Sequence, residues 1–340
     1  MKVKMRKTIF KKFLFIFLFF NIFILVSCDN IKTLDDETDT MIQDVDINTI
    51  ETMNILISDN MIKKYSMNND YIKSYQGSAA FNNYIVRLGV GGEAFLFKEN
   101  DLISYFHLGS YSQTSQHANC CNFSSIYINN NSFPLLYVSG GNSTESFECD
   151  VELLSIDNND ISSECIQKIF LDQSDFSFYE YSLYWGWPCW IIDNDALYCF
   201  GALYRTNGAM KEYDSINKYI ITKFEIPDLN NPIINLSAKD VKKQYIYSYD
   251  MCYTQGGTIY KNFLLFAFGA GTIEAPSGIK IFPLDSGKVI NLFFDNTILN
   301  NIEFEDLFIM NDRMFISCNN KDVYYIDINI NDLVLGKNYE

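Results

Sequence analysis

The sequence predicts an all-β protein. Aromatic residues make up 16% of its 340 residues, with 28 Phe and 23 Tyr against 6 Pro. Flat, bulky side chains pack well on a pleated sheet, so this composition favours strands over helices. With 48% hydrophobic and 20% charged residues, the chain has enough apolar surface for one large core or two small ones, which excludes a disordered protein.

Residues 1–27 predict an export signal. This segment holds six Lys or Arg residues and no acidic residue, and residues 13–26 form an apolar run that only Asn21 interrupts. The run is shorter than the roughly 20 residues that a transmembrane helix needs. A cleaved signal peptide is therefore favoured over a permanent span, and a signal anchor that also uses residues 8–10 is the alternative.

The run ends in Leu25-Val26-Ser27-Cys28, which resembles the lipobox of bacterial lipoproteins. The resemblance implies that the Cys28 thiol is acylated, that residues 1–27 are removed and that Cys28 becomes the mature N-terminus. Two or three acyl chains hold a protein durably on a membrane surface. The alternative is an ordinary cleaved signal that contains a cysteine. Asp29 resembles an inner-membrane retention signal of some bacteria. Because this signal does not apply to all bacteria, the sequence leaves open which membrane leaflet holds the anchor.

Residues 28–60 predict an acidic tether, which places the folded domain at 61–335. Eight acidic residues lie between Asp29 and Glu51, and only Lys32 balances them. Without residues 1–27 the chain has 20 basic and 42 acidic residues, a net charge of −22. This charge excludes nucleic acid as a partner, because such binding needs Lys and Arg to neutralise phosphates. Residues 41–62 show a modest helical pattern of apolar positions.

After residue 70, short apolar or alternating runs are separated by clusters of Asn, Asp, Gly and Ser, which is typical of strands joined by tight turns. The predicted strands are 84–88, 94–98, 102–108, 134–139, 151–156, 165–171, 189–192, 196–203, 219–226, 263–268, 279–284, 289–294, 313–318 and 323–328. Their spacing favours antiparallel hairpins.

The strands recur in approximate repeats. A segment with Gln and Gly, an Asn-containing turn and an apolar strand occurs at Gln76-Gly77, Asn82-Asn83 and 84–88, and again at Gln255-Gly256-Gly257, Asn262 and 263–268. Residues 281–290 form the clearest hairpin, with an Asp-Ser-Gly-Lys turn. Such a hairpin resembles the outer half of a propeller blade.

These units resemble a divergent β-propeller of the broad YVTN/WD40-like type. The predicted blades lie near residues 72–110, 117–171, 182–228, 243–296 and 302–330, and a sixth could come from the stretch before residue 70. Blades of four strands need roughly 40–50 residues each, so the chain accommodates five to seven. The alternative is an irregular sandwich or two packed β domains.

The cysteines predict structural thiols or disulfides rather than a metal site. The chain has no CxxC pair and only two His residues, so we expect no metal and no cofactor. Two hairpin disulfides are conceivable, Cys189 with Cys199 and Cys149 with either Cys120 or Cys121. Free buried cysteines are the alternative.

All three Trp residues, Trp185, Trp187 and Trp190, lie within six positions. Alternation in an extended strand would place Trp185 and Trp187 on one face. Exposed flat aromatics stack on sugar rings, so the cluster is a candidate glycan site, and core packing between blades is the alternative.

Polar residues that precede inner strands are the other candidate ligand-binding groups. His117 and Asn119 lie in a polar segment before a strand, and Gln76 and Gln255 occupy matching places in two repeats. In a propeller, such segments border the central channel. His117 could act as a hydrogen-bond donor or a general base, and a purely structural role is the alternative.

The sequence therefore predicts a lipid-anchored protein of the bacterial cell envelope, on the periplasmic side or at the cell surface. We expect a non-catalytic binding or scaffold propeller whose partner is an envelope protein or glycan. The alternative is a glycan hydrolase or lyase with its active site in the central channel.

Overall fold

The computed structural model of the protein describes residues 43–44, 51–67, 75–111, 117–129, 131–140, 147–157, 160–203, 217–249, 253–294, 298–299 and 301–337. The predicted signal peptide, Cys28 and most of the predicted tether lie outside the described residues. Within the described ranges, no helix is long and apolar enough to cross a membrane.

The described chain forms five sheets arranged as a five-bladed β-propeller, which confirms the predicted all-β class. Three strands precede the first blade: β1 (Gln43–Asp44), β2 (Thr52–Ile57) and β3 (Ile62–Tyr65). Blade 1 contains β4 (Ser78–Phe81), β5 (Tyr84–Leu88), β6 (Glu93–Lys98) and β7 (Asp101–His107), and blade 2 contains β8 (Cys121–Phe123), β9 (Leu136–Ser139), β10 (Glu148–Asp157) and β11 (Asp160–Leu171).

The chain then builds the other three blades. Blade 3 contains β12 (Tyr184–Ile192), β13 (Leu197–Leu203), β14 (Asn217–Phe224) and β16 (Val241–Tyr249), with β15 (Ile233–Leu236) in the connection before β16. Blade 4 contains β17 (Thr254–Tyr260), β18 (Phe263–Phe268), β19 (Gly278–Pro283) and β20 (Val289–Phe294). Blade 5 contains β21 (Phe304–Met310), β22 (Arg313–Cys318), β23 (Val323–Ile326) and β3, and the short helix α1 (Ile330–Val334) follows.

The first strand of each blade lies next to the central axis. These inner strands are β4, β8, β12, β17 and β21, and each contacts the inner strand of the next blade, with β21 returning to β4. The blades therefore form a closed ring. Their faces pack on one another through aromatic residues: Phe266 of blade 4 stacks on Phe282 at 5.1 Å between ring centroids and lies 5.5 Å from Phe200 of blade 3.

The ring is closed by a strand from the beginning of the chain. β3 pairs antiparallel with β23, with Ile62 opposite Ile326 and Tyr65 opposite Val323. Ile62 is buried in the core that blades 4 and 5 share. The stretch before residue 70 thus completes blade 5, and the possible sixth blade is not formed.

Three outer strands each pair with one further, parallel strand. β15 lies along β11, β1 along β16 and β2 along β20. In β2, Ile55 and Ile57 are buried whereas Leu56 is exposed, which is the two-residue period of a half-buried strand. This period corrects the predicted helical pattern, which covered 41–62, for residues 52–57. It also means that the end of the predicted tether, 28–60, belongs to the sheet of blade 4.

The predicted boundary between the third and fourth blades also needs correction. The prediction placed residues 243–249 in the fourth blade, but they lie in β16, which pairs antiparallel with β14 of blade 3. The reason is the long connection 225–240, which first crosses to blade 2 as β15 before the chain returns as β16. Because β15 pairs with blade 2, residues 225–240 interrupt the regular succession of four strands per blade that the prediction assumed.

Candidate functional site at one end of the central axis

The inner strands become irregular at the end where they begin. β-bulges interrupt β12 between Trp185 and Cys189, β17 between Thr254 and Gly257, and β21 between Phe304 and Asp306. Bulges re-aim side chains and are common at barrel rims and beside functional sites. We call this end of the axis the mouth, formed by residues 75–77, 117–119, 185–189, 253–256 and 302–305.

The structure brings the predicted residues Gln76 and His117 to the mouth. The backbone N–H of Gly77 donates to the carbonyl oxygen of Ala118 at 2.8 Å, so the segments that carry Gln76 and His117 run side by side. Gln76 is buried and His117 half-buried. Burial lowers the pKa of His117, so its imidazole is neutral at pH 7.

The other two predicted polar residues also lie at the mouth. Asn119 is buried, and its Nδ2 donates to Cys189 Sγ at 3.3 Å. Gln255 Nε2 donates to Glu303 Oε1 at 2.8 Å and also reaches the carbonyl oxygen of Gly269 at 3.3 Å. These hydrogen bonds fix the Gln255 amide and the Glu303 carboxylate in one arrangement.

Asp306 closes the axis below the mouth. Its Oδ2 accepts hydrogen bonds from the backbone N–H groups of Ser78 at 2.8 Å and Cys121 at 3.2 Å, and its Oδ1 accepts from Leu307 N–H at 2.8 Å. This one carboxyl group therefore joins blades 5, 1 and 2. Complete burial raises the pKa of Asp306 well above its usual range. Gly256 of blade 4 lies so near that a Cβ there would be 2.2 Å from Asp306 Oδ1.

A second set of hydrogen bonds joins blades 2 and 4 at the axis. Asn122 Nδ2 donates to the carbonyl oxygen of Gly257 at 3.0 Å, and Thr258 Oγ1 donates to Asn122 Oδ1 at 2.9 Å. The Cys120 thiol donates to the same Gly257 oxygen at 3.4 Å. Below the mouth, the axis between the described inner strands is thus occupied by buried groups that bond to one another.

Glu305 is a buried acid of the mouth that the sequence did not single out. It lies in the bulge of β21, and burial raises its pKa to about 8, with a further increase from Glu303 and an opposing decrease from Arg87. Arg87 is fully buried, its guanidinium lies 3.2 Å from the Tyr75 ring centroid, and its Nη2 donates to Ser317 Oγ at 2.9 Å. A chain with 42 acids offers too many acidic pairs for sequence to select this one.

Of the three Trp residues, the structure describes the side chain of Trp190. Trp190 is fully buried, and its ring centroid lies 6.0 Å from that of Phe224 in the core between blades 2 and 3. Trp185 and Trp187 lie in the part of β12 that the bulge interrupts, where Gly186 has a φ of +77°. The side chains of Trp185 and Trp187 lie outside the described part of the structure.

The cysteines within the described ranges are free thiols: Cys120, Cys121, Cys149, Cys165, Cys189, Cys199 and Cys318. Cys189 and Cys199 are not paired across their hairpin, because Cys189 lies opposite Phe200 and Cys199 opposite Trp190. Their side chains therefore point to opposite faces of blade 3. Among the described residues, no three His, Cys, Asp or Glu side chains are placed to hold a metal ion.

No family model matches the chain, and no curated protein is similar to it in sequence. A putative oxidoreductase (glucose dehydrogenase) of Thermus thermophilus is 9% identical over 78% of this chain and 98% of that chain, with a TM-score of 0.41. YCF48 bound to D1 peptide is 8% identical over 82% and 100%, with a TM-score of 0.34. The β-propeller domain of Nup133 of Vanderwaltozyma polyspora is 12% identical over 74% and 70%, with a TM-score of 0.36. Sequence identities and TM-scores this low give no information about a ligand or a reaction of this chain.

Proposed function

We propose that the protein is a lipid-anchored lipoprotein of a bacterial cell envelope that binds an envelope protein or glycan at the mouth without catalysing a reaction. One observation carries the proposal. Below the mouth, the axis is occupied by Asp306, Cys120 and Asn122, which bond to neighbouring blades. A ligand would therefore meet the surface of the mouth rather than enter a deep channel.

The polar groups of the mouth suit recognition. Gln255 and Glu303 hold each other in a fixed orientation, which lowers the conformational entropy lost when a ligand binds. Both side chains are half-buried, so part of each stays accessible. Amide and carboxylate groups together offer donors and acceptors for peptide groups or sugar hydroxyls.

Binding at the mouth is tested by comparing ligand capture by two variants of the full chain. Glu303→Gln removes the negative charge beside Gln255, whereas Glu225→Gln changes an exposed acid after β14 and serves as the matched control. We expect Glu303→Gln to weaken capture of envelope protein or glycan fractions by about tenfold, equivalent to ~1.4 kcal/mol, with no change for Glu225→Gln. Equal capture by both variants would place the ligand elsewhere.

The lipid anchor is tested separately. Cells that express the full chain are labelled with an alkyne analogue of palmitate, and the protein is recovered from membrane and soluble fractions. We expect label and membrane retention for the natural sequence and loss of both for Cys28→Ala. An unlabelled chain that keeps residues 1–27 would contradict the proposal. Labelling of the two leaflets with a membrane-impermeant reagent then identifies the side of the envelope.

Catalysis on a glycan is the second candidate function. The observation that favours it is the raised pKa of the buried Glu305 carboxyl group at the mouth. A protonated carboxyl group close to an ionised one is the pair that many glycosidases use. Burial holds Glu305 at a pKa of about 8, and Glu303 is the acid beside it. Turnover of envelope glycans that falls at least ~100-fold in Glu305→Gln would support this candidate, whereas no turnover by the natural chain would remove it.

A further inference from the structure

The connection from β11 to β12 is unusually aromatic. We call residues 172–183 the aromatic loop; it carries Phe176, Phe178, Tyr179 and Tyr181. It leads from the outer strand of blade 2 to the inner strand of blade 3 and therefore ends at the mouth.

Two of the four rings anchor the loop. Phe176 is fully buried, Tyr181 is nearly so, and their ring centroids lie 5.8 Å apart in the core between blades 2 and 3. Polar contacts hold both ends of the loop: Gln173 Oε1 accepts from Tyr184 N–H at 2.6 Å, and Asp175 Oδ1 accepts from Ala238 N–H at 3.3 Å. The conformation of the loop is therefore fixed by packing and hydrogen bonds.

The other two rings are displayed to solvent. Phe178 is 82% exposed, the largest fraction for any aromatic side chain in the described part of the chain, and Tyr179 is 48% exposed. The Phe178 ring lies edge-on to Tyr179 at 5.3 Å, and Tyr179 stacks on Tyr181 at 6.4 Å. A Phe side chain that stays exposed forgoes the free energy that its burial would contribute to folding. A loop held in place that nevertheless presents such a ring points to a ligand.

Glu180 follows Tyr179 directly and puts a carboxylate next to the exposed rings. It ends the 3₁₀ turn at 176–179 with a φ of +62°, and its N–H donates to the carbonyl oxygens of Phe176 and Ser177. The backbone of this residue is therefore held in place beside the rings by the cap of the turn.

The surroundings of the rings favour a sugar over a protein partner. Ser174, Ser177 and Glu180, which flank Phe178 and Tyr179, are all exposed. The two rings therefore stand among polar groups, whereas the core of a protein interface is a contiguous apolar patch. A sugar presents an apolar C–H face for an aromatic ring and hydroxyl groups at its edge, which carboxylates and serine hydroxyls can bind. The net charge of −16 disfavours an anionic glycan.

We propose that the aromatic loop binds a neutral glycan, with Phe178 and Tyr179 stacking on a sugar ring and Glu180 accepting hydrogen bonds from its hydroxyl groups. This inference rests on the proposed binding function and narrows its ligand to the glycan class. It also places the main contacts between blades 2 and 3, at the side of the mouth rather than over the axis.

The experiment titrates chitotetraose, cellotetraose and maltotetraose, to about 10 mM each, into the detergent-solubilised full chain while intrinsic fluorescence is recorded. We expect saturable binding of at least one oligosaccharide. Phe178→Ala should weaken it by at least about tenfold, and Phe178→Tyr should restore it, because a stacking surface remains. The control is Tyr127→Ala, a half-exposed aromatic in the connection between β8 and β9 at the opposite end of the propeller.

Three results would overturn the inference. They are no saturable signal with any of the three oligosaccharides, binding that Phe178→Ala leaves unchanged, and an equal loss in Tyr127→Ala. The melting temperature of each variant is measured in parallel, and because Phe178 is exposed we expect it to stay unchanged. If Glu303→Gln abolishes envelope capture while Phe178→Ala does not, the proposed binding at the mouth stands and the aromatic loop is excluded.

Discussion

Glu305 and Asp306 are adjacent buried acids in different surroundings. Asp306 accepts three backbone hydrogen bonds, whereas no described residue donates one to the Glu305 carboxyl group. The bulge of β21 separates them by turning one residue out of the strand pattern. The two acids therefore serve different purposes: Asp306 joins inner strands, and Glu305 remains a titratable group near the surface of the mouth.

Glu305→Gln is expected to flatten the pH dependence of stability. Burial raises the pKa of Glu305 from 4.5 to about 8, so the folded protein keeps a proton that the unfolded chain loses in this interval. The stability that Glu305 contributes is therefore fully present below pH 4.5 and is lost as the pH rises through about 8, by at most ~1.4 kcal/mol per pH unit. Urea unfolding at pH 5, 7 and 9 measures the slope, and identical slopes for both proteins would contradict the prediction.

Gly256 lies so close to Asp306 that a residue with a Cβ atom does not fit at this position. A Cβ at this position would lie 2.2 Å from Asp306 Oδ1 and 2.8 Å from the Glu305 carbonyl oxygen. Gly256→Ala should displace Asp306 from the N–H groups of Ser78 and Cys121 and reduce the free energy of unfolding by ~1–3 kcal/mol. Urea unfolding at pH 7 measures the loss, and a variant as stable as the natural protein would show that the axis is loosely packed.

At the scale of elements, the structure depends on β3 for closure of blade 5. Ile62→Asp should lower the free energy of unfolding by several kcal/mol, because it places an unpaired charge in the core that blades 4 and 5 share. Lys63→Ser is the matched control, since Lys63 is exposed on the same strand. Thermal unfolding measures both variants, and similar melting temperatures would mean that β3 contributes little to the fold.

The strands that were predicted most accurately bury apolar side chains between blades. The run predicted at 263–268 is β18 as observed, and 289–294 is β20, because both strands bury apolar side chains against neighbouring blades. The inner strands β4, β8, β17 and β21 were not among the predicted runs, and in β21 the acids Glu305 and Asp306 interrupt the apolar residues. The other three share a different composition. They are short or rich in Gly, Ser, Asn and Thr, since only small or hydrogen-bonding groups fit where five blades meet.

The same physics explains what the sequence revealed of the candidate site. Gln76, His117 and Asn119 precede inner strands and Gln255 lies at the start of one, and the repeats in the sequence placed them together for that reason. Glu305 was missed because a bulge of one residue has no sequence pattern of its own. The parallel outer strands β1, β2 and β15 were missed as well, because their partners are distant in sequence.

At the scale of the whole molecule, the blades are joined by hydrogen bonds around one carboxyl group. Asp306→Ala should leave the N–H groups of Ser78 and Cys121 unpaired and lower the free energy of unfolding by ~2–5 kcal/mol. Because the ring is continuous, we expect the loss to appear as one cooperative transition at a lower urea concentration. Two separate transitions, seen by near- and far-ultraviolet circular dichroism, would show that the blades unfold independently.

The pairing of β3 with β23 also determines when blade 5 can be completed during synthesis. The ribosome delivers residues 62–65 long before residues 323–326, and at about 5–20 residues per second this delay is about 13–50 s. During that interval β3 has no partner strand, and such an edge invites pairing with other chains. β3 must therefore be shielded until synthesis ends, and a nascent chain that stops before residue 323 leaves blade 5 without β23 and β3 without its partner strand.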